Sequence, residues 1–348
     1  MTRGINSRQG DSSVLSRIFY LWEQRLSRRD TNRTVRPFDW GLEYIRNGKP
    51  PAGNEREYLL DYAGKAVAAS DAYYSYQPVT DWELNGTHLT FPTPLPTLYP
   101  KNNTVHCEYF PADSGGRVVL VLPQWNCDER GHRSLCRLLN YFGISALRLS
   151  LPYHDLRMPE DLVRADYMLS ANLGRTLQAV RQAVVDSRAA LDWLETQGYT
   201  RFGILGTSIG SCVALITNAH DPRLKLSVQN HISGYFADVV WEGISTRHVR
   251  KGLDGRIALH DLREIWMPIS PMAYFKKLSG TGKHTLLVHA LYDYTFPPHL
   301  SREVLQEFER FRLPHSTFTL HCGHYTSGVF PFNIILGVAM CRYIRQNL

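Results

Sequence analysis

The chain has no run of eighteen or more apolar residues, the length a membrane-spanning helix needs. Its longest candidate, Val329 to Ile344, is broken by Asn333 and Arg342 and reads as a final packing helix. The first residues show no apolar core followed by a small-residue cleavage site. Cysteine is sparse: Cys107, Cys127, Cys136, Cys212, Cys322 and Cys341 are scattered, with no C-x-x-C pair and no spacing that suggests zinc or a disulfide framework. These absences lead to the expectation of a cytoplasmic chain with reduced thiols and no metal. Charged residues make up only 20% against 43% hydrophobic, which argues against extensive disorder. No clustered Lys/Arg stripe or nucleic-acid motif accompanies the net charge of +7, so nucleic acid is not expected as a partner.

That charge is concentrated at the start, where residues 1–50 hold ten Lys/Arg against five Asp/Glu. In Ser13 to Leu26 the residues Val14, Leu15, Ile18, Phe19, Trp22 and Leu26 fall at helical spacing, with Arg17, Gln24 and Arg25 opposite. Such a helix either packs on its own domain, the reading favoured here, or lies on an anionic membrane through residues 13–34. On the membrane reading, removing residues 1–34 is expected to abolish vesicle binding and leave a folded, active domain, whereas aggregation on truncation would support the packing role. Pro78, Pro92, Pro94, Pro96 and Pro100 mark 78–103 as an irregular connector. Residues 1–103 therefore read as an N-terminal extension, and 104–348 as the catalytic domain.

Beyond residue 103, short β-rich runs alternate with long helical ones, the pattern of an α/β chain whose mainly parallel sheet is flanked by helices. Strands are expected at about 104–110, Arg117 to Leu122, Ile144 to Ser150, Phe202 to Leu205, Leu224 to Gln229, His284 to His289 and Thr317 to Leu320. Ala179 to Glu195 carries a helical apolar stripe, and Gly198 suits its stop. The interval 235–282 is too long for a simple crossover and is a cap candidate.

The most informative segment is Phe202-Gly-Ile-Leu-Gly-Thr-Ser-Ile-Gly-Ser211, an apolar strand that ends in Gly-x-Ser-x-Gly and enters a helix. The glycines let strand and helix pass closely, and the turn holds the Ser208 hydroxyl out beside the free N–H groups of the helix start. This segment resembles the nucleophile elbow of the α/β-hydrolases, whose triad runs serine, acid, histidine along the chain. The acid expected on that order is Asp293, just past the strand His284 to His289. The base is His324, after Gly323, which is read as giving the backbone freedom to aim the imidazole. Asp238 is the alternative acid and His321 the alternative base. The oxyanion hole is assigned to the N–H of Ile209 and one from Pro123-Gln-Trp-Asn126; proline cannot donate, and Trp125 is chosen over Gln124.

With Gly206-Thr-Ser-Ile-Gly210, Asp293 and Gly323-His324, the span 104–348 resembles a member of the α/β-hydrolase superfamily. Leu151-Pro-Tyr-His-Asp-Leu-Arg-Met-Pro159 and Leu191 to Tyr199 are similar to the branch called α/β-hydrolase domain-containing protein 18, and Ser270-Pro271 is similar to dienelactone-hydrolase and prolyl-oligopeptidase relatives. Ser211 departs from the second glycine of many members, and the oxyanion loop lacks their His-Gly-Gly-Gly run. The resemblance implies a serine hydrolase acting through an acyl-enzyme on Ser208, without metal or organic cofactor. Acyl transfer by the same triad, and ligand binding without turnover, are the alternatives.

Around the centre, Tyr153, His231 and Tyr292 are expected to touch substrate. The flanking aromatics Trp125, Phe236, Trp241 and Tyr294 suit a hydrophobic or lipid ester.

Overall fold

The structure, a computed structural model, describes residues 14–45, 54–113 and 115–348. The start of the N-terminal extension, including Ser13 of the amphipathic segment, lies outside the described residues. Nine strands form one sheet: β1 Glu83–Asn85, β2 His88–Pro92, β3 Thr104–Phe110, β4 Arg117–Leu122, β5 Ser145–Leu149, β6 Arg201–Thr207, β7 Leu224–Asn230, β8 His284–Ala290 and β9 His315–Leu320. Their order is β1-β2-β3-β5-β4-β6-β7-β8-β9. β1 to β3 are antiparallel, β3 meets β5 antiparallel, and β5 through β9 run parallel.

The side-chain period of two divides the core between the two faces of the sheet. Val118, Leu120 and Leu122 of β4 join one cluster with helices Leu173–Thr196 and Ile209–His220. Val119 and Val121 join the other, with Cys136 and Leu139 of helix Arg133–Tyr141 and Met340 and Ile344 of helix Phe332–Asn347. Covered on both faces, β4 can be almost wholly apolar, as its sequence is.

Two departures from the sequence reading concern the first hundred residues. Part of the stretch read as irregular connector belongs to the sheet, because Asn85 pairs with His88 across a turn in which Gly86 adopts φ 63°, a torsion glycine accepts without strain. β2 then alternates polar and apolar, burying Leu89 and Phe91.

The N-terminal helix Val14–Ser27 packs on the domain by only part of the predicted stripe, through Phe19, Trp22 and Leu26. Val14, Leu15 and Ile18 are 76%, 56% and 51% exposed, whereas the buried positions are Glu23, Leu26 and Ser27. The aromatic and polar side chains Phe19, Tyr20 and Glu23 make the contacts described below, and these set the helix's rotation.

The long helix begins at Leu173, earlier than its apolar stripe, because the Asn172 side chain accepts the Arg175 N–H and caps it. Interval 235–282 contains helices Phe236–Glu242, Arg247–Leu253, Leu259–Ile265 and Phe275–Leu278. The loop after β5 is tied to the long helix by a fully buried ion pair, Arg157 to Asp186 at 2.8 Å. Arg157 also donates to the Asn102 and Ser150 carbonyls, as a buried guanidinium must if its desolvation is to be offset.

Candidate active site

The parallel strands all point their carboxyl ends to one edge, where ligand sites of open α/β sheets form. Ser208 follows β6, near the middle of the sheet; Asp293 follows β8 and His324 follows β9. Ser208 has φ 57° and ψ −119°, a strained conformation for a side-chain-bearing residue. The flanking glycines are required by space: a Cβ on Gly206 would collide with the Gly210 carbonyl, and one on Gly210 with the Leu122 and Pro123 carbonyls. The Ser211 hydroxyl lies 2.6 Å from both the Ser208 and His231 carbonyls and fastens the turn at Ser208 to the end of β7.

His324 Nδ1 lies 3.0 Å from Asp293 Oδ2. The other carboxylate oxygen accepts the N–H groups of Thr295 at 2.8 Å and Phe296 at 2.7 Å, so the loop after β8 fixes the carboxylate's plane. The ring of Phe296 stacks on His324 at 5.2 Å and 3°. Burial would raise the Asp293 pKa, but the His324 charge and the imidazole contacts override it and hold the carboxyl well below its usual range. Burial opposes protonation of His324 as well, yet Asp293, by charge and hydrogen bond, and then Glu23 raise its pKa.

His231, expected to bind substrate, is 1% exposed and sits against the acid: its Nδ1 approaches Asp293 Oδ2 to 2.9 Å without the alignment of a hydrogen bond. Its ring lies 4.4 Å from that of His324, and its Nε2 is 3.1 Å from Ser327 Oγ. Burial, then the neighbouring His324 charge, lowers its pKa. His231, Asp293 and His324 offer ligand atoms within 4.8 Å of one another and could hold a cation.

Ser208, His324 and His231 line a cavity of about 610 Å³. Its walls include the apolar Leu135, Leu138, Ile334, Leu336 and Met340, and the polar Gln124, Asn126, His132 and Asn230.

Trp125 also lines this cavity, where its ring stacks on His248 at 5.5 Å and its indole N–H donates to the Ala165 carbonyl. In the loop after β4, the Asn126 N–H is taken by His154 Nε2 at 2.8 Å, and the Asn126 side chain accepts the Ala165 N–H. The His154 ring is set by its own Nδ1 contact to the Pro152 carbonyl, and burial lowers its pKa to about 4. Gln124 and Trp125 therefore keep the loop's free N–H groups, neither having an acceptor among the described residues. Ile209 opens its helix, and its N–H has no intrahelical acceptor.

Two expected pocket residues are elsewhere. Tyr153 is fully buried among Tyr99 and Tyr167, because the strained turn at φ 64° sends its ring into the core. Tyr292 stacks on Phe19 of the N-terminal helix at 4.6 Å and 6°. The alternative acid Asp238 is held by Arg263 at 2.6 and 2.9 Å, and the alternative base His321 is exposed.

Residues the sequence reading passed over include His132, whose Nε2 is 3.0 Å from Thr207 Oγ1 beside Ser208 and whose pKa burial lowers to about 4. Glu23 is the other, 0% exposed beneath the His324 loop. A lone histidine at φ 67° and a lone glutamate among arginines leave no periodic signal.

The fold has solved counterparts. Over 88% of this chain and 98% of its own length, the acetyl xylan esterase from Paenibacillus sp. R4 superposes with a TM-score of 0.56 at 16% identity. Acetyl xylan esterase 1 from Thermoanaerobacterium sp. JW/SL YS485 matches over 89% and 99%, with a TM-score of 0.58 at 13% identity. The chain has the α/β-hydrolase fold. This α/β-hydrolase fold also matches Pyrococcus horikoshii acylaminoacyl peptidase, TM-score 0.60 at 14% identity over 77% of the chain, which spans only 42% of that peptidase's length. No family model and no curated protein matches the sequence.

Proposed function

We propose that the protein is a serine hydrolase that cleaves a carboxylic ester with a hydrophobic acyl part, through an acyl-enzyme on Ser208. The observation that carries this reading is the His324–Asp293 hydrogen bond at the sheet edge that also presents the strained Ser208, with Ser208, His324 and Trp125 lining one cavity. Because Nδ1 of His324 is committed to Asp293, Nε2 is the basic atom left to take the Ser208 proton. The alkoxide then attacks the ester carbonyl, and the N–H groups of Ile209 and Trp125 receive the developing oxyanion. His324 returns the proton to the leaving alcohol, and water attacks the acyl-enzyme by the same route in reverse. Asp293 stays ionised throughout. The kinship to the branch called α/β-hydrolase domain-containing protein 18 belongs to this reading, as does a cap role for 235–282, which brings Ser245 and His248 to the cavity rim.

Wild-type protein is expected to label with a fluorophosphonate probe, and Ser208→Ala is not. Peptide mass mapping of the adduct to residue 208 checks the nucleophile, and a folded wild type that stays unlabelled sinks the reading. A panel of p-nitrophenyl esters of graded chain length reads the acyl preference, and a faster discharge with an added alcohol or thiol would turn the assignment to acyl transfer.

No helix among the described residues is long and apolar enough to cross a membrane. The N-terminal helix nevertheless turns Val14, Leu15, Ile18 and Leu21 outward beside exposed Arg17, Arg25, Arg28 and Arg29. That mixture supports contact with an anionic lipid surface, where a lipid ester would be met. Sedimentation with anionic vesicles is expected for the wild type and to be lost in Ile18→Glu/Leu21→Glu; equal sedimentation of both removes the membrane role.

A further inference from the structure

The N-terminal helix touches both loops that carry the proposed acid and base. Tyr292 and Tyr294, the two neighbours of Asp293, are each engaged by it: Phe19 stacks on Tyr292, while Tyr20 packs edge-on against Tyr294 at 4.8 Å and Ser16 Oγ lies 3.1 Å from the Tyr294 hydroxyl. On the other side, the Glu23 carboxylate accepts the N–H of Tyr325 at 2.9 Å with Oε2 and that of Thr326 at 2.8 Å with Oε1. These are the two residues that follow His324. Arg33, farther along the extension, donates to the Tyr325 hydroxyl at 2.7 Å.

Gly323 has the same cause. Its φ is not in the left-handed region, so the sequence reading of a glycine needed for backbone freedom does not hold. A Cβ at that position would instead run into the Glu23 side chain, 2.6 Å from its Cγ. The glycine preceding the base is thus fitted to a carboxylate supplied from 300 residues away. A carboxylate taking two backbone N–H groups in a buried setting is a strong, directional anchor, because charge-assisted hydrogen bonds gain most where water is absent.

We infer that Glu23 is a positioning residue for His324, and that the N-terminal helix is a brace holding the acid and base loops in register. The inference rests on the serine-hydrolase reading, and it runs against the membrane-reading expectation that residues 1–34 can be removed without loss of activity. Besides its geometry, Glu23 acts by charge: together with Asp293 it favours the protonated imidazole, against burial. Burial in turn raises the Glu23 pKa, opposed by the Tyr325 and Thr326 N–H groups and by the His324 charge.

The test compares Glu23→Gln, which is isosteric and keeps one acceptor, with Glu23→Ala, in the full-length protein. Glu23→Ala is expected to lower kcat about 10²-fold, the scale of an ångström-sized misplacement of a catalytic group, with KM and melting temperature little changed. Glu23→Gln is expected to lose about tenfold, one charge-assisted hydrogen bond being exchanged for a clash of donors.

The second readout needs no turnover. The low-field proton resonance of His324 Nδ1–H against Asp293 is expected to persist in Ser208→Ala and to broaden or vanish in Glu23→Ala. If Glu23→Ala does not fold, Glu23→Gln decides. A folded Glu23→Gln with wild-type kcat and an unchanged resonance overturns the inference. A wild type without esterase activity whose resonance still depends on Glu23 would overturn the hydrolase reading and leave the brace standing.

Discussion

Ser208→Ala and His324→Ala are each expected to reduce kcat by a factor on the order of 10⁴ to 10⁶ while the protein stays folded. The physical basis is that nucleophile and base act as one unit: without the imidazole the hydroxyl keeps its proton, and without the hydroxyl the imidazole has nothing to activate. Neither side chain carries much of the core, since Ser208 sits at a turn and His324 on a loop anchored by other groups. Steady-state kinetics on the best ester of the graded panel, with melting temperatures beside them, provide the check. The double variant should be hardly slower than either single one. Losses that multiply would mean that the two residues act independently, which the proposed proton transfer does not allow. Residual activity near the wild-type level in His324→Ala would point to His231, whose ring lies 4.4 Å away, as the working base.

Asp293→Asn is expected to cost less, about 10⁴-fold, and to change the pH profile. An amide at this position can still accept the Thr295 and Phe296 N–H groups, so the loop should survive. What it loses is the negative charge and the acceptor that keep the His324 proton on Nδ1 and Nε2 free.

The pH dependence follows from the same contact. The active form of the base is unprotonated, so activity falls as pH drops through the pKa of His324. Asp293 and Glu23 raise that pKa above the ordinary histidine value of about 6.5, which places the acid limb of the wild-type profile above it. Removing the Asp293 charge is expected to move the limb to lower pH. The kcat/KM profile over the neutral range tests this. A flat wild-type profile, or a limb that stays in place in the variant, would rule out His324 as the base.

Much of the site was legible before any coordinates, for reasons specific to its residues. The elbow is a local object, because glycine spacing, strand hydrophobicity and the helix start all lie within ten residues and each has a steric meaning. Asp293 and His324 could be found because each lies in the loop just after a strand, and in a parallel sheet the residues after strands share an edge. The alternation of β2 and the Gly86 turn were also written in the chain, but the prolines on either side masked them. The failures have a common cause as well. Tyr153 and Tyr292 were placed in the pocket because they flank site segments, yet adjacency along the chain does not fix direction: a strained turn sends Tyr153 into the core, and Phe19 captures Tyr292. The amphipathic stripe placed Phe19 and Leu26 against the domain as they are found, but not Val14, Leu15 and Ile18, because the buried Glu23 carboxylate and the Tyr20 ring contact turn those three outward.

The sequence by itself determined the alternation that builds the parallel sheet, the tight turn at Ser208 and the chain order of the three chemical groups. These rest on backbone sterics and on periodic burial, which act between near neighbours. The tertiary structure alone decided that His231 shares the acid with His324, that the Asn126 N–H is spent on His154, and that Glu23 reaches under the base's loop. Each of these joins segments remote along the chain through one or two polar contacts. A hydrogen bond between side chain and distant backbone imposes no repeat on the residues around it, so nothing in the amino-acid order announces it until the chain has folded.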